Sequence, residues 1–141
     1  MTTRRSFLST VPAAAPLALA ASRLHAAAAK HGFVLGVATY SLRKFTREQA
    51  IPMIQKCHAP YLSVKSFHLP YDAKPAEFAL AKKEFKAAGL TVLSGGNIDL
   101  KGDDATLRAM FEYAKAAGFP TIVCAPSHET VGAVEKLVKE Y

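Results

Sequence analysis

Several kinds of chemistry are absent from this 141-residue chain. Its two cysteines, Cys57 and Cys124, form no CxxC pair, which excludes a dithiol redox motif and a cysteine-based zinc site. Each reads instead as a small buried residue of the core. There is no P-loop, no GxGxxG turn and no nucleophile elbow. No paired carboxylates fall at a strand end, and no His, Asp and Glu spacing matches a metal site. The uncharged apolar run Val11 to Ala21 is about half of the ~20 residues that span a bilayer. It also contains Pro12 and Pro16, so a stable membrane anchor is not expected.

What is present at the N-terminus has the order of a secretory signal. Thr3-Arg4-Arg5-Ser6-Phe7-Leu8 is a charged head, Val11 to Ala21 an apolar middle, and Ala26 to Ala29 a small-residue cleavage region. The Arg-Arg-x-Phe-Leu pattern resembles the twin-arginine export signal of bacteria. Residues 1–28 are therefore expected to be a twin-arginine signal peptide, the partner to be the twin-arginine export machinery, and the destination to be periplasmic or secreted. No cysteine follows the apolar run, so a lipid anchor is not indicated. Net charge falls from +7 to +4 on removal of Arg4, Arg5 and Arg23. The remaining lysines scatter over helix surfaces (Lys82, Lys83, Lys86, Lys136, Lys139) and do not form the stripe that binds nucleic acid.

The rest of the chain keeps a beat of 29 residues. Ala87-Ala88-Gly89-Leu90 leads into Val92-Leu93, and Ala116-Ala117-Gly118-Phe119 leads into Ile122-Val123. One step earlier, Pro60 precedes Leu62-Ser63-Val64. A helix that ends at a breaker before a short apolar strand, repeated, is a βα array with a parallel sheet. About four units are expected. Their strands are Phe33 to Thr39, Tyr61 to Ser66, Leu90 to Ser94 and Thr121 to Ala125.

Helix signals fit between the strands. Thr46-Arg47-Glu48-Gln49 matches a capping box, with Ala50, Ile51, Ile54 and Cys57 facing inward and Pro52 an unexplained break. Lys74-Pro75 opens the second helix, whose inward face is Phe78, Ala81, Phe85 and Ala88. Gly95 to Gly102 reads as a loop, and Asp103 or Asp104 caps the third helix. Its stripe is Leu107, Met110, Phe111, Ala114 and Ala117. Ser127 is expected to cap the fourth helix, with Val131, Val134, Leu137 and Val138 inward.

Closed (β/α)₈ barrels need eight units and typically ~250 residues. The fold class expected is therefore α/β, a partial (β/α)₈ TIM barrel, with residues 33–141 as the N-terminal half of a truncated barrel. Active sites in such folds lie at the C-terminal ends of the strands. That rim carries Tyr40, Ser41 and Arg43, then Lys65, Phe67 and His68, then Ser94, Asn97 and Asp99, then Pro126, Ser127 and His128. It suits a small hydroxylated ligand. Tyr40 fits a pocket wall or a plug of the barrel end. His68 fits a ligand contact or a hydrogen-bonded loop residue, and Asn97, after two glycines, fits a ligand contact or a plain turn.

Gly36-Val37-Ala38-Thr39-Tyr40-Ser41-Leu42 and Tyr61-Leu62-Ser63-Val64-Lys65-Ser66-Phe67-His68-Leu69-Pro70 resemble the sugar phosphate isomerase/epimerase family, with its xylose-isomerase-like TIM barrel. Leu90-Thr91-Val92-Leu93-Ser94-Gly95-Gly96-Asn97 and the segment from Ala117 to Pro126 fit the same pattern. The resemblance covers about residues 33–141. It implies metal-assisted proton transfer on a sugar or polyol, with a divalent Mn, Mg, Co or Zn whose ligands come from later strands. It also implies a substrate side lined by Tyr40, His68 and Asn97, with no catalytic residue in this chain. His68 matches a histidine that relatives place at the end of strand two, for substrate or, in the endonuclease IV branch, for metal. Asn97 stands where that branch has another histidine, which counts against a DNA-repair nuclease. A non-catalytic sugar-binding barrel and a half barrel that associates with its own copy into a homo-oligomer are the alternatives.

Overall fold

The computed structural model describes residues 34–141. The export-signal reading of residues 1–28, and Phe33 of the first expected strand, lie outside the described residues. Among the described residues, four strands alternate with four helices. They are β1 (Gly36–Ala38), α1 (Arg47–Lys56), β2 (Tyr61–Val64), α2 (Pro75–Ala87), β3 (Thr91–Leu100), α3 (Asp104–Ala117), β4 (Ile122–Pro126) and α4 (Val131–Glu140). A 3-10 turn, Thr39–Leu42, follows β1 directly.

All strands are parallel and lie in the order β1-β2-β3-β4. Each strand is placed beside its predecessor, without reversal. Right-handed crossovers then put every helix on the same face of the sheet. One apolar cluster joins the layers: Ile54 of α1, Phe78 and Phe85 of α2, Phe111 of α3 and Leu137 of α4 meet Leu62, Val64, Ile98 and Leu100 of the sheet. This is the winding of a (β/α)₈ barrel, seen over four units.

The local chemistry behaves as expected at most helix ends. Thr46 accepts from the Gln49 amide while the Gln49 side chain accepts from the Thr46 amide, closing the capping box. Pro75 takes the first position of α2, and Asp103 accepts from the Thr106 amide at 2.9 Å. The two glycines of the 29-residue beat, Gly89 and Gly118, both have φ of 72°, the left-handed stop. In the first unit that conformation is taken by His58, with φ of 53°.

Other local expectations are corrected. β1 is only three residues long because the chain coils into the 3-10 turn at Thr39. Cys57 is exposed, not inward, since it lies past the end of α1, where its thiol points back to the Met53 carbonyl. Ser127 does not cap α4. It opens a turn in which its carbonyl accepts from the amides of Thr130 and Val131, and α4 starts after Thr130. Of the four residues expected inward on α4, Leu137 is buried and Val134 half-buried, while Val131 and Val138 are exposed. Pro52 sits on the exposed side of α1, which continues through it.

The largest correction concerns Gly95 to Leu100, which continue β3 instead of forming a loop. Two register shifts make this strand unusual. Leu62 pairs with Val92 but Ser63 pairs with Ser94, so Leu93 is an extra residue. Gly96 pairs with Val123 but Ile98 pairs with Cys124, so Asn97 is a second. Each bulge reverses the alternation of side chains once. Val92, Gly95, Ile98 and Leu100 thereby all face the helices. Ile98 and Leu100 are fully buried, each contributing roughly 1.5–3 kcal/mol of apolar burial.

Candidate functional site

The sheet face turned away from the helices carries small and polar groups together with the exposed Val123. Alternation from the paired register puts Ala38, Ser63, Ser94, Gly96, Val123 and Ala125 on it. Ser63 and Ser94 sit opposite each other because of the first bulge, and their hydroxyls are hydrogen-bonded at 2.9 Å. The second bulge presents Asn97 as an exposed residue. Gly96 beside it has φ of +122°, and a Cβ there would lie 2.0 Å from the Val123 carbonyl oxygen. Only glycine fits between β3 and β4 at this point.

Two turns form the rim at the C-terminal end of this face. The first runs from Thr39 to Phe45 and carries Tyr40 and Arg43. The second runs from Lys65 to Leu69 and carries Phe67. Tyr40 and Phe67 are half exposed, at 50% and 56%, and meet edge to face with ring centroids 5.9 Å apart. The Arg43 guanidinium lies 4.5 Å from the Tyr40 ring centre and donates to the Tyr40 carbonyl. Asn97 lies two residues beyond Gly95, the partner of Val64, and so stands level with the start of the second turn.

The rim is held from behind by bonds that span the sequence. Buried Thr39 accepts from the Lys65 amide at 2.9 Å, linking the two turns. Arg47 of α1 donates to the His68 carbonyl and to Glu84 of α2. Tyr113 of α3 donates its hydroxyl to the Leu69 carbonyl at 2.7 Å. Burial, with Tyr71 adding a smaller push, raises the Tyr113 phenol far above its ordinary range, so it stays a donor. These bonds fix the backbone on both sides of Phe67.

The three residues singled out from the sequence fall into two groups. Tyr40 and Asn97 are exposed at the same end of the sheet. His68 is next to Phe67 in the chain but is 2% exposed, beneath the first turn. Neither of its ring nitrogens has a hydrogen-bond partner among the described residues. Burial pulls its pKa below 6.5, Arg47 adds to that effect, and the Phe45 and Leu42 carbonyls oppose it. Of the wider rim, Asp99 pairs with Lys101 at 3.3 Å. The Ser63 contribution was not visible in the sequence, because a serine inside an apolar strand carries no signal of its partner. Among the described residues, no three His, Cys, Asp or Glu side chains gather as a metal site. No helix among them is long and apolar enough to cross a membrane.

No family model and no curated protein matches the chain. Its fold is similar to the crystal structure of an uncharacterised protein from Parabacteroides distasonis ATCC 8503, with a TM-score of 0.70 and 21% identity. The match covers 77% of this chain and 50% of that one, so the chain spans about half the length of its structural neighbour. At that identity the likeness carries the fold alone: four successive units of a parallel βα array.

Proposed function

We propose that this sheet end is the ligand-binding rim of an exported sugar or polyol isomerase/epimerase-like barrel. The observation that carries the reading is the exposed Tyr40–Phe67 pair beside the Ser63–Ser94 hydroxyls and Asn97. Aromatic rings offer an apolar platform to the C–H face of a sugar, while hydroxyl and amide groups exchange hydrogen bonds with its hydroxyls. The location agrees, since (β/α) folds bind at the C-terminal ends of their strands. In this reading the chain works in the periplasm or outside the cell, delivered by the twin-arginine machinery, as Arg4-Arg5 suggests.

In this reading the rim residues bind and orient the ligand. The divalent metal implied by the family resemblance finds no group of three ligands among the described residues. A non-catalytic sugar-binding barrel shares the same rim. The two are separated by incubating the intact protein, as its gene encodes it, with sugars and polyols in deuterated water, with and without Mn, Mg, Co or Zn. Deuterium at a carbon next to the carbonyl is the expected result for an isomerase or epimerase. Binding without exchange assigns the non-catalytic reading, and absence of binding contradicts both.

A further inference from the structure

We propose that His68 is a proton-operated wedge between the two rim turns, which frees the Tyr40 turn when its ring takes up a proton. The backbone of His68 is pinned: its amide donates to the Lys65 carbonyl, and its carbonyl accepts from Arg47. Its ring, in contrast, lies buried beside the Leu42 and Phe45 carbonyls without a hydrogen bond at either nitrogen. The ring therefore supports the turn that holds Tyr40 and Arg43, and its own turn holds Phe67. It lies next to Phe67 in the chain and beside the turn that carries Tyr40.

Burial without a hydrogen bond disfavours an imidazolium here, and the Leu42 and Phe45 carbonyls compensate that only in part. The charged group bearing on the ring is Arg47 of α1, which repels a second cation. Glu84 of α2 is engaged by Arg47 at 2.6 Å. The first turn adds Arg43 and Lys44, and the turn of His68 itself adds Lys65, all cationic. The remaining carboxylates of these helices, Glu48 of α1 and Glu77 of α2, are not among the groups that act on the ring. A proton taken from solvent is thus best accommodated with the ring turned out to water. That motion lifts Thr39–Phe45 and parts Tyr40 from Phe67. The burial-driven fall of the His68 pKa agrees with the same preference. The wedge is independent of what the rim binds.

The test is an NMR pH titration of the full chain carrying ¹³C-labelled histidine, with no sugar present. The account expects the His68 ring to titrate below the ordinary value of 6.5, and Tyr40, Arg43 and Phe67 resonances to move with the same midpoint. In His68→Phe those rim resonances should stay fixed over the same range. A His68 midpoint at or above 6.5, rim resonances that do not follow it, or a rim transition that persists in His68→Phe would overturn the proposal. Should His68→Phe fail to fold, the ring and rim midpoints of the unaltered protein decide alone.

Discussion

Arg47 and His68, 21 residues apart, are joined by a 2.9 Å hydrogen bond from guanidinium to main-chain carbonyl. The same guanidinium bonds Glu84 at 2.6 Å, so one half-buried side chain ties α1, α2 and the turn bearing Phe67. Replacing it with an apolar residue of similar length, Arg47→Met, leaves a carboxylate and a carbonyl without their donor. We expect a loss of about 2 kcal/mol in urea unfolding. Faster amide exchange should appear from Lys65 to Leu69. An unchanged midpoint would show that the bonds are replaced by water without cost.

Gly96 sits where a Cβ would meet the Val123 carbonyl oxygen at 2.0 Å, at a φ of +122°. Gly96→Ala should therefore cost about 2–4 kcal/mol, by strain and by displacement of β4. Gly132→Ala is the contrast: a Cβ there meets nothing within 4 Å, inside α4, and the change should stabilise by up to about 1 kcal/mol. Chemical denaturation of the two variants side by side checks the pair.

His58 holds the left-handed position that Gly89 and Gly118 hold in the later units. A side chain there carries about 1–2 kcal/mol of conformational cost. His58→Gly should recover about 1 kcal/mol, because the residue is exposed and loses no packing. Thermal unfolding should register an increase in Tm, and a decrease would show that the imidazole has contacts of its own.

Those glycines explain what was legible in the sequence. A helix stop needs a left-handed residue, and Gly at a fixed spacing before apolar triplets announces both the stop and the following strand. The capping box at Thr46–Gln49 and the apolar stripes of α2 and α3 are written as plainly. β3 is not, for a physical reason. Its helix-facing residues Val92, Gly95, Ile98 and Leu100 are spaced by three, three and two, since a bulge intervenes twice. Period-two alternation, the signal for a strand, is cancelled by the feature that presents Asn97 and aligns Ser94 with Ser63. At the rim, Tyr40 and Asn97 stood out by position, whereas the burial of His68 depends on a 3-10 turn that apolar patterning does not encode.

Stability should depend on pH through His68. Its pKa is lowered in the folded state, so the unfolded chain takes up the proton first as pH falls. The folded state thus keeps its full stability above about 6.5 and loses it as pH drops from there toward the lower folded-state value. Calorimetric Tm measured from pH 7.5 down to pH 5 should decline, with a shallower decline in His68→Phe. Equal slopes in the two proteins would contradict the burial of a neutral ring.

The rim reading itself is tested most directly by mapping ligand contacts. Sugars and polyols are titrated at millimolar concentration into the isotope-labelled protein, and shifts are followed at Tyr40, Phe67, Ser63, Ser94 and Asn97. The account predicts saturable shifts gathered at these residues for at least one ligand, lost in Tyr40→Ala and in Phe67→Ala, with Leu107 and Phe111 unmoved. Absence of saturable shifts across pentoses, hexoses and cyclitols, or shifts gathered on the α3 and α4 surface, would contradict it.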